Sequence, residues 1–443
     1  MDCIVAGGGA AGIAAALTSA REGLETLLIE MEGGVGGDLF SGMPVLGAFT
    51  SRGEQCVYGI LTELEHECRK LDPDAWLGPV CDYRTVHGLC LDPEILRLAV
   101  YALLRRYGVR LLLNTAVTGV EVENGSVRSL IVHGKNSRRQ ISCACAVDAT
   151  GGGHLSAMCG AVVRYGSEQR EFQPVSLLYR MCGVDFEKIL SYVRDHPQEA
   201  ILCENPVLPA DQTEAALRLY RNGLPYLALS SHSQLLSGAL SSGRLHPCTA
   251  AFITPTSRKR REVCMNVTRV SGLNCADEEA LSGTLPQLSA QVADSARLFQ
   301  ELLPGFAQAS ICSIMHKIGV RESGRIEGEY TLTQEDVLAA RRFDDAVACG
   351  CHHVDIHGRG TDQVRIPIPG GGSYHIPYRS MLPKGLRNVI AAGRCISSDR
   401  GANGTVRVMG TCLDTGQAAG RACAALLQNK YRDFRQVESR ALR

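Results

Sequence analysis

An uninterrupted apolar run, Cys3-Ile4-Val5-Ala6, opens the chain and gives way at once to Gly7-Gly8-Gly9-Ala10-Ala11-Gly12. Short continuous apolar runs are the pattern of strands buried on both faces, as in parallel sheets. An Ala-rich helix to about Arg21 and a second strand over 25–29, ending at Glu30, complete a βαβ opening. Residues 55–71 read as helix. Asp92-Pro93-Glu94 is a helix start, with a capping carboxylate, proline in the first turn and an acid beside it. That helix closes at Gly108, and a strand over 109–113 follows. A hairpin over 117–133 turns at Asn124-Gly125. A strand over 143–147 runs into Asp148-Ala149-Thr150-Gly151-Gly152-Gly153.

The middle, about 166–345, mixes strands and helices. Its clearest β element is 251–253 with 263–267, flanking Arg258-Lys259-Arg260-Arg261, and a long helical region spans about 276–303. The end returns to the opening's style. Val389-Ile390-Ala391-Ala392-Gly393-Arg394 reads as a buried strand ending in glycine, followed by a glycine-rich loop and a helix over about 411–427. The expected fold class is therefore α/β. A Rossmann-type dinucleotide domain is built from two separated pieces, 1–165 and 346–430, around an α+β substrate domain at 166–345. Residues 431–443 read as a loose polar tail.

Composition narrows the function. Lys+Arg and Asp+Glu both number 46, so there is no general field for nucleic acid or an anionic membrane. No apolar run is long enough to cross a bilayer. A fold beginning at the second or third residue leaves no room for a signal peptide, and a cytoplasmic setting is expected. The 19 cysteines are odd in number and irregularly spaced, so they read as small buried apolar residues rather than a disulfide framework.

The chemistry begins at the glycines. Gly7 permits a tight turn, Gly9 lets backbone approach a pyrophosphate, and Gly12 lets helix pack on strand. The helix N-terminus offers free N–H groups to phosphates. Glu30, at the end of the second strand, can accept bonds from an adenosine ribose, which argues against a 2′-phosphate. Two features favour FAD over NAD: the loop Gly33-Gly34-Val35-Gly36-Gly37, and the distant return at Gly393-Arg394 with a second helix N-terminus.

Strings spread over nearly the whole chain carry a family resemblance. They are the N-terminal glycines, Asp148-Ala149-Thr150-Gly151, Asn266-Val267-Thr268-Arg269-Val270, Gly319-Val320-Arg321-Glu322-Ser323-Gly324-Arg325-Ile326-Glu327-Gly328-Glu329-Tyr330, Val354-Asp355-Ile356-His357, and Ile376-Pro377-Tyr378-Arg379-Ser380 through Gly393-Arg394 to Arg407-Val408-Met409-Gly410-Thr411. The chain resembles the FAD-dependent oxidoreductases of the glutathione-reductase-type flavoprotein superfamily. The resemblance implies a discontinuous FAD domain. Beyond Gly7, Gly9, Gly12 and Glu30, the expected cofactor contacts are Ala10, Ala11, Met31, Gly36, Gly37, Ala116, Val117, Ala149, Thr150 and Gly151. At the flavin end they are Gly393, Arg394, Gly404, Arg407, Val408 and Met409. Two departures stand out: Gly324 where a second arginine is common, and Cys349-Gly350-Cys351-His352-His353 where a plainer strand is usual.

Candidate catalytic residues are Arg321, Arg325, His375, Tyr378 and Arg379. Either arginine of the first pair could clamp a substrate carboxylate or stabilise the reduced, anionic isoalloxazine, or form an ion pair with Glu322, Glu327 or Glu329. His375 or Tyr378 could move a proton, or belong to a β-hairpin. Cys349, Cys351, His352 and His353 are metal-ligand types at the wrong spacing for a zinc ribbon, so no metal is expected. The basic tetrad at 258–261 reads as a solvated turn, with nucleic acid disfavoured.

These readings converge on hydride transfer between flavin N5 and a small organic substrate held between the two domains. The electron donor or acceptor is unidentified and self-association stays open. A tRNA-directed flavoprotein and a non-catalytic electron-transfer subunit are the competing classes. Neither a second dinucleotide domain nor a C-x₄-C redox pair is visible.

Overall fold

The apolar run at the N-terminus becomes the centre of a five-stranded sheet. The structure, a computed structural model, describes residues 1–208 and 211–442. Strand Cys3–Ala6 lies between Thr26–Ile29 and Cys145–Asp148, parallel to both. Arg110–Leu112 extends one edge and Val389–Ala391 the other, again in parallel. Every residue of the three central strands is buried, which is why they read as continuous apolar runs rather than alternating ones. Strand Val389–Ala391 comes from the far end of the chain, so this sheet is sewn from two distant segments.

Helix Ala10–Arg21 packs behind the sheet and meets the 20-residue helix Met409–Gln428. Glycines make the approach close. A Cβ on Gly416 would lie 2.1 Å from the Ala11 carbonyl oxygen, and one on Gly420 would lie 2.7 Å from that of Ala15. A three-stranded antiparallel sheet, Thr115–Glu123, Ser126–Gly134 and Ser137–Ser142, caps one side. Its hairpin turns at Asn124-Gly125 as expected, and the third strand was not legible.

A second hydrophobic core lies between about residues 172 and 309. It sits against a five-stranded antiparallel sheet ordered Leu227–Ser230, Ala250–Ser257, Glu262–Asn266, Tyr179–Cys182, Ser310–Ile314. The helical region expected over 276–303 is two helices, Glu278–Gly283 and Leu285–Leu302, separated at Thr284. From Leu332 onward, including Val337 and Phe343, side chains pack in the first core.

The end of the chain corrects the expectation of a loose tail at 431–443. Phe434, Val437 and Leu442 are buried in the first core. Asp433 and Gln436 form a capping box, Arg435 pairs with Glu329, and Arg421 Nη1 donates to the Leu442 carbonyl. The polar residues that suggested a tail are the outer face of a docked strap. Among the described residues, no helix is long and apolar enough to cross a membrane.

Phe434→Ala leaves a cavity where a ring is nearly fully buried. It is expected to lower unfolding free energy by about 3–5 kcal/mol in urea titrations. Unchanged stability would mean that the strap does not dock.

Candidate functional site

The first βα turn shows what each glycine is for. Gly7 has a positive φ of 99°, and a Cβ there would sit 2.4 Å from the Ala149 carbonyl oxygen. A Cβ on Gly12 would lie 1.7 Å from the Gly7 carbonyl oxygen. Both are constrained by protein. At Gly9 a Cβ would meet nothing within 4 Å; the space beside it belongs to a cavity that Gly9 helps to line. Gly9 is also the N-cap of helix Ala10–Arg21 and supplies no capping side chain, so the first-turn N–H groups are left for a ligand.

That cavity, of about 1060 Å³, runs across the C-terminal ends of the parallel strands, where ligands bind in open α/β sheets. At one end lie Glu30, Met31, Ala116 and Val117; at the centre, Gly7, Gly9, Ala10 and Ala11; beyond them, Gly37, Ala149, Thr150, Gly151, Gly393, Arg394, Arg407 and Met409. The Glu30 carboxylate accepts from Gly8 N at 2.5 Å and Glu32 N at 2.9 Å, which fixes it at the rim. Asp148 holds the next loop: its carboxylate accepts from Thr150 Oγ1, Ser156 N and Ser156 Oγ, each at 2.7 Å. Arg394 is tied to the carbonyls of Gly151 and Val320.

Four expected contacts stand elsewhere. Gly12 is packed into the turn, and a Cβ on Gly36 would strike the Phe40 ring at 2.1 Å. A Cβ on Gly404 would meet the Asp355 carbonyl oxygen at 2.8 Å, so this glycine serves helix-on-strand packing. Val408 lines a second cavity. Asp38, Arg97, Tyr101, His316 and Lys317 also line the large cavity. They were missed because each comes from a segment with no motif of its own. The length of this cavity, its uncapped helix end and its glycine floor fit an extended dinucleotide.

The second cavity, of about 210 Å³, adjoins the first. Asp38, Arg394, Arg407 and Met409 line both. Deeper in, one side is apolar, with Leu178, Tyr226, Leu227, Ala228 and Phe252, and the other carries Arg84, Arg321, His352, His353, Asp355 and His357. Four arginines face three aspartates around it.

Arg321 is half-buried here. Its guanidinium donates to the Pro174 carbonyl and Ser176 Oγ, each at 2.7 Å, and to Asn266 Oδ1 at 3.5 Å. All three acceptors are neutral, and no described carboxylate comes within ion-pair distance. Removal from bulk solvent, with Arg407 and Arg269 nearby, makes its positive charge harder to hold. Arg325, four residues on, is different. It is buried and bonded to Glu322, to the Gly166 carbonyl and to the Ser398 carbonyl. Glu322 also holds Arg400, so Arg325 is part of an ion-pair network rather than either of these two cavities. Gly324 is packed at the Gly152 carbonyl, where a Cβ would come within 2.1 Å, so this backbone has no room for an arginine.

His375, Tyr378 and Arg379 line neither cavity. Tyr378 is buried in the first core with its hydroxyl donating to the Phe434 carbonyl at 3.1 Å. Arg379 pairs with Asp345 at the surface. His375 Nδ1 accepts from Phe343 N. Strand Tyr374–Pro377 pairs antiparallel with Ala346–Gly350 across an intervening strand pair, so His375 lies in a non-hairpin ladder and Tyr378 and Arg379 in the helical turn after it, away from the cofactor strands.

The histidines that do line the cavity come from the stretch after Cys349. His352 Nδ1 bonds the His353 carbonyl at 2.8 Å. A carbonyl can only accept, so Nδ1 carries the proton and Nε2 presents a lone pair; no described residue bonds that Nε2. Burial pulls this imidazole down to about 4. His353 stacks on it, with ring centroids 4.0 Å apart, and its buried Nδ1 has no partner. His357 receives Arg269 at Nδ1 and donates from Nε2 to Asp355. Burial holds it neutral as well, at about 4. Burial penalises the Asp355 charge, yet His357 and Arg407 around it keep the carboxyl well below its ordinary value. The sequence signal for these residues was the departure from a plain strand at 349–353.

Two of the four residues in the basic tetrad are ion-paired. Lys259 pairs with Asp72 and Asp74, Arg260 with Asp92 and Glu262, and Arg258 reaches the Gly223 carbonyl.

A glycine-floored dinucleotide cavity opening onto a small arginine- and histidine-lined chamber defines an FAD-binding oxidoreductase. The chain belongs to the FAD dependent oxidoreductase family, whose model matches residues 2–443, and FAD is its cofactor. No curated protein matches. Among solved structures, the chain is similar to a geranylgeranyl bacteriochlorophyll reductase-like protein from Thermoplasma acidophilum. Identity is 14%, coverage is 99% of this chain and 81% of that one, and the TM-score is 0.49. It is also similar to p-nitrophenol 4-monooxygenase PnpA from Pseudomonas putida, at 11% identity, 100% and 87% coverage and TM-score 0.49. A flavin-dependent brominase, Bmp2, matches at 13% identity, 99% and 82% coverage and TM-score 0.47.

Two outcomes are expected. Gly9→Ala should weaken FAD binding roughly tenfold or more without lowering the stability of the FAD-free protein, because only the ligand occupies that space. Gly12→Ala should cost the FAD-free protein at least about 1–3 kcal/mol, because its Cβ meets backbone. Flavin fluorescence titration and urea unfolding separate the two. Acid is the second test. His352 and His357 have ordinary values of 6.5 and folded values of about 4, so between these pH values the unfolded chain binds protons that the folded chain refuses. Stability is full above pH 6.5 and falls as pH drops toward 4, by about 3 kcal/mol for each imidazole. His352→Gln should flatten that slope in urea midpoints measured across the range; an unchanged slope would contradict the assignment.

Proposed function

We propose that the protein oxidises or reduces a small organic acid held in the 210 Å³ chamber. The observation that supports this most is Arg321: a cation whose hydrogen-bond partners are all neutral, lining a chamber that adjoins the cofactor cavity. A substrate carboxylate would supply the missing opposite charge, and guanidinium–carboxylate bonds fix orientation as well as affinity. The chamber is smaller than a drug-sized pocket, which suits a small metabolite.

Bound FAD supplies the two-electron chemistry, accepting or giving a hydride at its ring. The chain's own residues do the rest. Arg321 anchors the acid and turns its reacting carbon toward the junction lined by Asp38, Arg394 and Met409. His352 Nε2, neutral and bare, takes the proton that leaves the substrate on oxidation. His357, Asp355 and Arg407 form a charge-balanced group that keeps this wall fixed. The apolar side, with Leu178 and Phe252, keeps bulk water from the reacting atoms.

The two competing classes draw less support. An electron-transfer subunit has no need of a chamber beside the cofactor cavity, and an RNA-directed role would want a basic face freer than the half-paired tetrad at 258–261.

The test is anaerobic. The FAD-loaded protein is mixed with a panel of small carboxylic acids, alcohols, amines and sugars, and the dithionite-reduced protein with unsaturated and keto acids. Bleaching by one acid, or reoxidation by one, is expected. Arg321→Gln, with FAD still bound, should raise the half-saturating concentration at least roughly tenfold. Bleaching only by uncharged compounds, or an unaltered Arg321→Gln response, would overturn the acid assignment.

A further inference from the structure

Arg84 lines this chamber with two guanidinium nitrogens that no protein acceptor meets. It sits in the loop between antiparallel strands Trp76–Cys81 and His87–Leu91. Asp82 Oδ1 pins that loop by accepting from the backbone N–H groups of Arg84, Thr85 and Val86. Asn205 N adds a bond to the Arg84 carbonyl. The side chain is therefore presented by a fixed turn rather than a mobile one, with its guanidinium carbon 5.0 Å from the centre of the Phe252 ring.

Arg84 is only 7% exposed. Its Nε and Nη1 are buried without any hydrogen-bond partner, and no described residue accepts a bond from its guanidinium. Asp82 and Glu204 stand at 3.7 and 3.8 Å from Nε, beyond hydrogen-bond reach. Both carboxylates are occupied elsewhere: Asp82 by its own loop, Glu204 by Arg365. A buried guanidinium with five N–H groups and no acceptor is costly unless something completes it. Nη2, the one guanidinium nitrogen not sealed in protein, is left for the chamber, which Arg84 lines together with Arg321. The two arginines have different neighbours. Pro174, Ser176 and Asn266 hold the Arg321 guanidinium, whereas the 82–86 loop and the Phe252 ring hold Arg84.

We propose that Arg84 receives a second oxyanion group of the substrate, so that the chamber selects small dianionic acids with Arg321 at one end and Arg84 at the other. This rests on the reading of Arg321 as the anchor of a first carboxylate. The shared chemistry is an oxyanion that accepts two guanidinium bonds; a carboxylate and a phosphate both meet it.

Isothermal titration calorimetry on the FAD-loaded protein tests it, with succinate, glutarate and phosphoglycolate against butyrate and valerate. The dianions are expected to bind at least roughly tenfold tighter than the matched monoanions. Arg84→Gln should erase that gain, weakening succinate and glutarate far more than butyrate and valerate, and Arg84→Lys should keep part of it. Succinate and glutarate gaining while phosphoglycolate does not assigns the second group as carboxylate; the reverse assigns it as phosphate. Equal binding of monoanions and dianions, or a gain that survives Arg84→Gln, overturns the proposal. Arg321→Gln separates the two readings. If it weakens monoanion binding while dianions show no advantage, the anchor stands and the second site falls. If no acid binds at all, both fall. A single cooperative thermal transition for Arg84→Gln, with FAD still bound, verifies that the variant is folded.

Discussion

Everything in this molecule depends on one backbone-to-backbone contact, between helix Ala10–Arg21 and helix Met409–Gln428. Only glycine at 416 and 420 lets the second helix lie directly on the carbonyls of Ala11 and Ala15. The contact brings the last hundred residues onto the first twenty. It seats strand Val389–Ala391 beside Cys145–Asp148 and carries Gly393, Arg394 and Met409 to the far end of the cavity that Gly7 and Gly9 begin. A cofactor that long needs a floor from both termini, and close helix packing supplies it.

The second organising feature is the handling of charge beside that floor. The first core surrounds it with apolar side chains, yet arginines and histidines converge on the chamber next to it. Most are internally settled: Arg325 by Glu322, Arg407 by Asp355, His357 by Arg269 and Asp355. Arg321 finds only neutral acceptors, and Arg84 has Asp82 and Glu204 at ion-pair distance but no hydrogen-bond acceptor. Burying a guanidinium without an acceptor costs stability, so its retention at a cavity wall marks a place where a ligand finishes the network. The histidines complement this by staying neutral, so that His352 can accept a proton while the arginines hold the anion.

How much of this was legible depended on the range of the interactions. The βαβ opening, the Asp92 cap, the Asn124-Gly125 turn and the return at 389–394 are written in local periodicity, and they reappear almost unchanged. The cavity-lining residues Gly7, Gly9, Glu30, Gly151 and Arg394 lie at or just after strand ends, which local pattern marks, whereas Met409, at the start of a helix, came from the family resemblance. Tyr378 and Arg379 looked functional by position alone; their partners Phe434 and Asp345 come from segments that only folding brings near. Arg84 and His352 were invisible as a pair because the chamber is assembled from many distant stretches of chain. Nothing in residues 81–87 announces that the Phe252 ring and the residues after Cys351 will meet them. Phe434, Val437 and Leu442 were hidden among charges that turn out to face outward.

The central claim is that the cofactor's reactive ring ends at the shared rim of the two cavities. A crystal structure of the FAD-loaded protein tests it most directly. The account expects the isoalloxazine ring among Asp38, Arg394 and Met409, with one edge open to the chamber that holds Arg321, His352 and Arg84. A ring seated elsewhere, or one that seals itself off from that chamber, would contradict it.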